Sequence, residues 1–469
     1  MTFPSLVRRL AAPARPARRE EALPPQPRRP HCPAPPRPPC PFRRSPAPGM
    51  AALTAAALAL LSGTGPAGAG THLPGTVYDA TQQNDATAVS GSPNTYLTLS
   101  GDGVKDNHAA LANALGNLHP GETLYLPGGT YNVDPTYVAV LSIPAGVTIE
   151  GSRDTADPSK RTVLSLVNTY NKGRDCVFLR NGGDNVTIQD LTVQRSSPFP
   201  VVLFEVKPYD GLAVRRCHFD GKRQSNAGDG DYCDALYSLT PAGSVTKNLL
   251  VDGCSFENLD WGFLMPGQSR ADPRRGDLTN VTFSNCTFSA NAGDGIGFNA
   301  PSRLCRDVAV DRCTFTGLGA SSPAPWVFAV SLANVQQGRV TGCTISNYPS
   351  EGLHIEDRSA FIDLSQNTLS SCCTGTASYP AGNGGYYVIV GNESHDVHIS
   401  NNTIDARANP FLIYGVNLTA GGANAVIPND ITIFGNTFHF QPGTGSKTFF
   451  YDTGVRHQEA GNVNTGGVS

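Results

Sequence analysis

The chain has 469 residues, with 50 glycines, 37 prolines and 12 cysteines, and is 39% hydrophobic and 16% charged with a formal net charge of −3. That is enough apolar residue to bury a large core, which excludes a wholly disordered protein. Short apolar stretches between Gly- and Asn-rich turns favour an all-β architecture over a helical one.

Residues 1–49 stand apart, with 10 Arg, no Lys, 15 Pro and no apolar periodicity, so they cannot build a core. An apolar run from Met50 ends in Ala67-Gly68-Ala69, the small-x-small form a signal peptidase accepts, and is too short for a stable bilayer anchor. The expected organisation is therefore a disordered extension at 1–49, a signal peptide at 50–69, and one secreted domain at 70–469 with no membrane association after cleavage. Met50 reads as the true start, and 1–49 as upstream sequence translated in error or an unusually long n-region. A basic nucleic-acid-binding arm is the alternative. The Arg/Pro/Ala bias points to a GC-rich, bacterial genome. With 10 Arg against Glu20 and Glu21, the extension carries +8, so the whole-chain −3 becomes −11 for the remainder. An acidic body argues against nucleic acid as a partner.

From Thr98 to Gly151 the pattern changes. LTLSGDGVKDNHAALANALGNL reads as a strand, a Gly-Asp-Gly turn and an amphipathic helix, with Asp106 placed to cap it and Ala109, Leu111, Ala112 and Leu115 as its apolar face. ETLYLPGGTYNV and LSIPAGVTIEGS follow as strands broken by Pro-Gly and Pro-Ala-Gly.

A tripeptide then returns along the chain, each copy after an alternating apolar stretch: at Leu191, Cys217, Cys254, Cys286, Cys313, Cys343, Asn367, Asn402 and Asn436. The intervals of 26, 37, 32, 27, 30, 24, 35 and 34 residues are too irregular for a helical solenoid and suit the coils of a parallel β-helix, whose corner loops vary in length. Coils stack about 4.8 Å apart, so one residue type recurring at one point of the coil makes a column. A Cys column passing into an Asn column is one internal ladder, with thiols packed as small hydrophobes and amides bonded along the axis. The alternative, that the asparagines mark N-glycosylation sequons, sits poorly with Cys replacing Asn in the same apolar context. Five cysteines belong to the ladder as a reduced column; Cys176, Cys233, Cys305 and the adjacent Cys372 and Cys373 leave room for one or two bridges. No paired CxxC or His motif calls for zinc, and no metal is assigned.

GDGVKDNHAALANAL, followed by LYLPGGTYNV and IPAGVTIEGS, resembles the N-terminal signature of the pectate-lyase-like superfamily, and the ladder continues the resemblance to about residue 454. The chain departs from that signature at Asn107-His108, where the family often has Asp-Thr. The resemblance implies an all-β, right-handed, single-stranded parallel β-helix with an N-terminal capping helix. It also implies a secreted protein acting on polysaccharide, without naming the substrate.

A second strand follows each tripeptide: DALYSL from Asp234, WGFLMP from Trp261, DGIGFN from Asp294, WVFAVS from Trp326, EGLHIED from Glu351 and YYVIVGN from Tyr386. An acidic group recurs at strand entry, at Asp234, Asp260, Asp294 and Glu351. Alternation points Leu353 and Ile355 inward and His354 and Glu356 outward. Outward carboxylates on adjacent coils lie roughly 5 Å apart and those two coils apart roughly 10 Å, which brackets the separations used by glycosidases.

Asp229, Asp231 and Asp234 crowd nine residues, where like charges raise one another's pKa as a general acid beside a base requires. A calcium-binding turn or a plain loop of Asx turns are the alternatives. His354, Glu356, Asp357 and Arg358 form a second cluster, a proton shuttle beside groups that bind carboxylate or sugar oxygens. Tyr232, Tyr237, Trp261, Trp326 and Tyr348 are candidates to stack on sugar rings. The catalytic candidates are thus Asp231, Asp234, Asp294, His354 and Glu356. Asp229, Tyr237, Asp260, Trp261, Glu351, Asp357 and Arg358 are the candidates for substrate binding.

A lyase base motif, paired polygalacturonase aspartates, an Asp-Pro-His epimerase motif, a nucleophile elbow and a phosphate loop are all missing from the sequence. The expected function is a glycoside hydrolase using paired carboxylates, needing no cofactor unless the aspartate turn holds calcium. A lyase or epimerase on a uronate polymer and a non-catalytic carbohydrate-binding surface protein are the rivals. Polysaccharide is the expected partner, and the molecule a monomer or a homotrimer.

Overall fold

The structure, a computed structural model, describes residues 77–80, 99–134, 140–152, 157–167, 176–196, 201–222, 233–266, 276–300, 303–318, 321, 327–374, 385–420, 426–451 and 454–466. The expected boundaries at 49/50 and 69/70 lie outside the described residues, as do Asp229, Asp231, Tyr232 and Trp326.

Three all-parallel sheets of 13, 13 and 11 strands carry the described chain. The chain visits them in rotation, so one strand from each makes a coil and consecutive strands of a sheet are the same element one coil on. The first sheet runs from Val77–Asp79 to His457–Ala460, the second from Asp102–Asp106 to Val463–Thr465, and the third from Leu141–Ile143 to Lys447–Tyr451.

The tripeptides sit at the corner between the first and second sheets. The residue before each is left-handed: φ is 51° at Arg216, 63° at Gly253, 53° at Asn285, 50° at Arg312, 64° at Gly342, 59° at Gln366, 55° at Asn401 and 66° at Gly435. That residue turns the chain sharply and aims the next side chain into the coil. Glycine and asparagine suit the position. Arg216 sits there with its guanidinium bonded to Asp190 one coil earlier, Nε to Oδ1 at 2.7 Å.

The inward side chains form the ladder. Asn367 N and Nδ2 donate to Asn402 Oδ1 at 2.9 and 3.0 Å, and Asn402 repeats both bonds to Asn436 Oδ1 at 2.9 Å. Asn436 extends the series to Asn462, a rung the tripeptide pattern did not reveal. Asn367, Asn402 and Asn436 are at most 2% exposed, which excludes glycosylation there. The described cysteines are all free and buried, so no disulfide joins them; Cys254 and Cys286 instead donate to Val214 O and Val251 O at 3.4 and 3.5 Å.

Beside the ladder the second sheet stacks Phe219, Phe256, Phe288 and Phe315 with ring centroids 5.2, 4.6 and 4.7 Å apart. This column shapes the third sheet opposite. A Cβ on Gly262 would lie 2.5 Å from Phe288, one on Gly295 2.7 Å from Phe315, and one on Gly415 2.3 Å from Phe438. A small inward residue followed by a large one, as in Gly352-Leu353, therefore opens many third-sheet strands. Two consecutive inward residues interrupt the alternation, so the side chains on either side of the pair both face outward.

The helix spans His108–Asn117 and packs against Leu141–Ile143, the edge strand of the third sheet, with Ala110, Leu111 and Leu115 buried. Ala110, rather than the expected Ala109, faces the core. Asp106 Oδ1 accepts from His108 N at 3.0 Å, while Asn107 ties the preceding turn through Nδ2 to Ser100 O and Lys105 O at 3.0 and 2.9 Å. A carboxylate at 107 has no N–H to make those two bonds, which explains why an amide fits here.

Candidate active site

The pattern just described builds two outward columns on the third sheet. One follows the register of Asp234, Trp261, Asp294, Phe328, Glu351, Tyr386, Tyr414 and Lys447, and the other that of Tyr237, Leu264, Gly297, Ser331, His354, Ile389, Asn417 and Phe450. The expected acidic recurrence is real at Asp234, Asp294 and Glu351. Asp260 lies one residue short, because Trp261 takes the column position. The fourth coil also shifts: its strand is Val330–Ala333 and Phe328, two residues beyond Trp326, occupies the column. The small inward residue in Phe328-Ala329-Val330-Ser331 sets that register.

Glu351, His354 and Glu356 come together on one coil, and Asp294 stands two coils earlier in the same column as Glu351. Asp294 is 1% exposed, with Oδ1 accepting from Phe328 N at 2.9 Å and Oδ2 from Asn299 Nδ2 at 3.1 Å. Burial pushes its carboxyl up to about 7, against those two bonds and the nearby His354. Glu351, 2% exposed, accepts from the hydroxyl of its neighbour Ser350.

His354 stands between two carboxylates, Nε2 3.3 Å from Glu356 Oε2 and Nδ1 4.0 Å from Glu351 Oε2. Burial disfavours its charge, but Glu356, Glu351 and Asp294 together outweigh that and hold its pKa above the ordinary histidine value. Phe328 stacks on the imidazole at a centroid distance of 4.2 Å, fixing its plane. The cluster meets solvent through His354 and Glu356, whose side chains are 15% and 35% exposed. Trp261 is partly exposed beside Asp294; a Cβ on Gly297 would lie 2.9 Å from its ring and 3.2 Å from Asp294 Oδ2. The absent side chain at Gly297 thus lets the indole and the carboxyl share one surface.

The other candidates fall elsewhere. Asp234 is fully buried two coils before Asp294 in the same column, and Tyr237 packs in an outer apolar cluster with Val202 and Leu264. Asp357 and Arg358 turn away through left-handed φ values of 55° and 68°: Asp357 Oδ1 accepts from Asn392 Nδ2 at 3.2 Å and Arg358 Nε lies 3.8 Å from Glu393. Tyr348 is 1% exposed, so its ring is a packing element of the core and not a stacking platform. Phe328, Asn299 and Ser350 complete the cluster and were not singled out by sequence. Phe328 was findable from the small-residue register; the other two carry no local signal.

Among the described residues no group of three His, Cys, Asp or Glu is arranged to hold a metal ion, and the calcium reading of Asp229, Asp231 and Asp234 rests largely outside them. Among the described residues no helix is long and apolar enough to cross a membrane.

A family model described as "Right handed beta helix region" matches residues 145–438, and the chain belongs to that family. No curated protein matches in sequence. Among solved structures, the A-module of mannuronan C-5 epimerase AlgE6 from Azotobacter vinelandii is similar at TM-score 0.50 and 15% identity, covering 83% of this chain and 99% of that one. The AlgE4 A-module from the same organism gives 0.49 and 16%, covering 78% and 95%. PfbA, a surface adhesin of Streptococcus pneumoniae, gives 0.45 and 11%, covering 77% and 93%. At these identities the likeness speaks to the fold.

Proposed function

We infer that the chain is a secreted carbohydrate-active enzyme that cleaves a polysaccharide by hydrolysis. One observation carries this reading: a carboxyl titrating at about 7, Asp294, shares a face and a charge network with a histidine held above its ordinary pKa and a partly exposed carboxylate, Glu356. Environments that push titratable groups apart in this way define an acid and a base. Asp294, neutral in a large fraction of molecules near pH 7, gives its proton to the glycosidic oxygen as the bond to the anomeric carbon breaks. Glu356 takes a proton from the water whose oxygen bonds to that carbon. His354 donates a hydrogen bond to Glu356 and orients its carboxylate. Trp261 presents a partly exposed ring to a sugar beside Asp294.

A second reading, elimination or epimerisation on a uronate polymer, is favoured by His354 at the surface of the cluster, whose raised pKa favours the charged form that pairs with a sugar carboxylate, and by the epimerase A-module with a similar fold. Incubation with a polysaccharide panel separates the two. Hydrolysis releases reducing ends without ultraviolet absorbance, elimination adds the absorbance of an unsaturated uronate, and epimerisation changes only the C5 proton signals. Release of none of these by any polysaccharide would sink the enzyme reading.

A further inference from the structure

Each asparagine of the ladder treats the next one alike. Its backbone N–H and one Nδ2 hydrogen converge on a single oxygen, Oδ1 of the next rung: Asn367 on Asn402 at 2.9 and 3.0 Å, Asn402 on Asn436 at 2.9 Å for both, and Asn436 on Asn462 at 2.9 and 3.0 Å. The other Nδ2 hydrogen bonds a carbonyl of the preceding coil, Ile433 O at 3.0 Å for Asn462. At Asn462 the series stops. Its N–H and second amide hydrogen have no acceptor among the described residues, although the same two donors are filled at Asn367, Asn402 and Asn436.

The last coil surrounds that donor pair with polar groups. His457 and Glu459 stand in register with Ile431 and Ile433, and Asn464 with Phe438, so three inward positions that are apolar one coil earlier become polar. Asn464 Nδ2 donates to Thr448 Oγ1 at 3.1 Å, while its buried Oδ1 has no donor. A cavity of about 710 Å³ opens here, between Thr448, Phe449 and Tyr451 on the edge strand of the third sheet and Glu459, Asn462 and Asn464 on the facing side. Polar inward residues discourage non-specific stacking of apolar surfaces on an open solenoid end. They do not supply the oxygen that the Asn462 donors require.

We propose that the last coil is a docking site for an extended segment of another polypeptide, which adds as one more coil and seats an asparagine amide on Asn462. The ladder itself carries the inference, because three successive rungs show what this donor pair binds. Strands Lys447–Tyr451, His457–Ala460 and Val463–Thr465 each end their sheet, so their outer main-chain groups supply the strand pairing. The segment is a polar one. Its inward side chains meet His457, Glu459 and Asn464, which amide and hydroxyl donors satisfy and an aliphatic run does not. A second copy of this chain does not meet the need at either end. Every asparagine rung points its oxygen toward the first coil and its donor pair toward the last, so two last coils bring donors against donors. At the other end the helix His108–Asn117 lies on the edge strand of the third sheet.

The probe is a fluorescein-labelled peptide copying residues 454–466 with Glu459→Gln, GVRHQQAGNVNTG, which places amides over Glu459, Asn462 and Asn464. Its binding to the whole protein is read by fluorescence anisotropy, against the same peptide carrying Asn462→Ala as well. The first peptide is expected to bind at least tenfold more tightly, because the second lacks the oxygen that takes two hydrogen bonds. In the protein, Asn462→Asp keeps an oxygen for Asn436 to bond and removes the amide donor. It should weaken the first peptide about tenfold and abolish the difference between the two. The peptide pair alone decides the outcome if that variant is unstable. Equal affinity for the two peptides, or binding of neither at millimolar concentration, overturns the docking site. So does a wild-type protein that sediments as a dimer beside an Asn462→Asp variant that sediments as a monomer, which assigns the coil to a second copy.

Discussion

Replacing Asp294 with Asn tests whether this carboxyl is held neutral by burial. Asp294 is 1% exposed and its pKa is raised from 3.8 to about 7. At about 1.4 kcal/mol for each tenfold change in acidity, that difference amounts to about 4 kcal/mol in favour of the neutral form. The sign follows from proton counts. Between pH about 4 and about 7 the unfolded chain has lost this proton while the native chain still holds it, so stability falls as pH rises through that window and levels off above it. An asparagine never ionises and lacks this slope. It accepts one bond through Oδ1 from Phe328 N and donates through Nδ2 to Asn299, whose amide turns to present its oxygen. Asp294→Asn should thus match or fall slightly below wild type at pH 4 and gain about 4 kcal/mol on it by pH 8. Trp261, which packs beside Asp294, provides the probe: denaturant unfolding followed by its fluorescence in a Trp326→Phe background, at pH 4 to 8. Parallel stability curves for the two proteins would refute the reasoning.

Three further outcomes follow from named contacts. His354→Gln should lower turnover about 100-fold or more and shift the acid limb of the pH–rate profile, because it removes the titratable imidazole between Glu351 and Glu356; an unchanged profile places His354 outside the chemistry. Asn402→Ala removes the bonds its Nδ2 donates to Asn436 Oδ1 and Leu364 O and those its Oδ1 accepts from Asn367 N and Nδ2, so a loss of about 2–4 kcal/mol is expected in chemical denaturation, with Asn402→Cys milder because thiols fill the same rung in earlier coils. The thiols of Cys305, Cys313 and Cys372 are pushed up to about 12, Cys305 and Cys372 by burial first and Cys313 first by its stacked neighbour Cys286. Together with their burial this predicts that Cys305, Cys313 and Cys372, identified by peptide mapping, do not react with a thiol reagent at pH 8 until the protein is denatured.

The sequence made the coil legible because the ladder repeats one residue type at one geometric point, and an inward column tolerates few choices. Asn462 escaped because Val463-Asn464 follows it where the other Asn copies have Thr and an apolar residue. The outward columns were only partly readable. Simple alternation located His354 and Glu356, but the paired inward residues, as in Gly295-Ile296 and Gly352-Leu353, insert an offset at strand entry. That offset aligns Asp294 and Glu351 and displaces Asp260. Its cause is distant in sequence: the Phe288 and Phe315 rings of the second sheet leave no room for a Cβ at Gly262 and Gly295. Asp357 and Arg358 looked continuous with His354 in sequence, and the left-handed turn separates them. Buried partners such as Asn299 and Phe328 are set by the next coil, which no local pattern encodes.

The most direct test of the acid–base cluster is product analysis of wild type, Asp294→Asn and Glu356→Gln on a panel of neutral and uronate polysaccharides, with binding measured in parallel. The account predicts that at least one polymer is cleaved by wild type, that each substitution lowers turnover at least 100-fold, and that both variants still bind it. Wild-type turnover in either variant, or binding without turnover by the wild type across the panel, would contradict it.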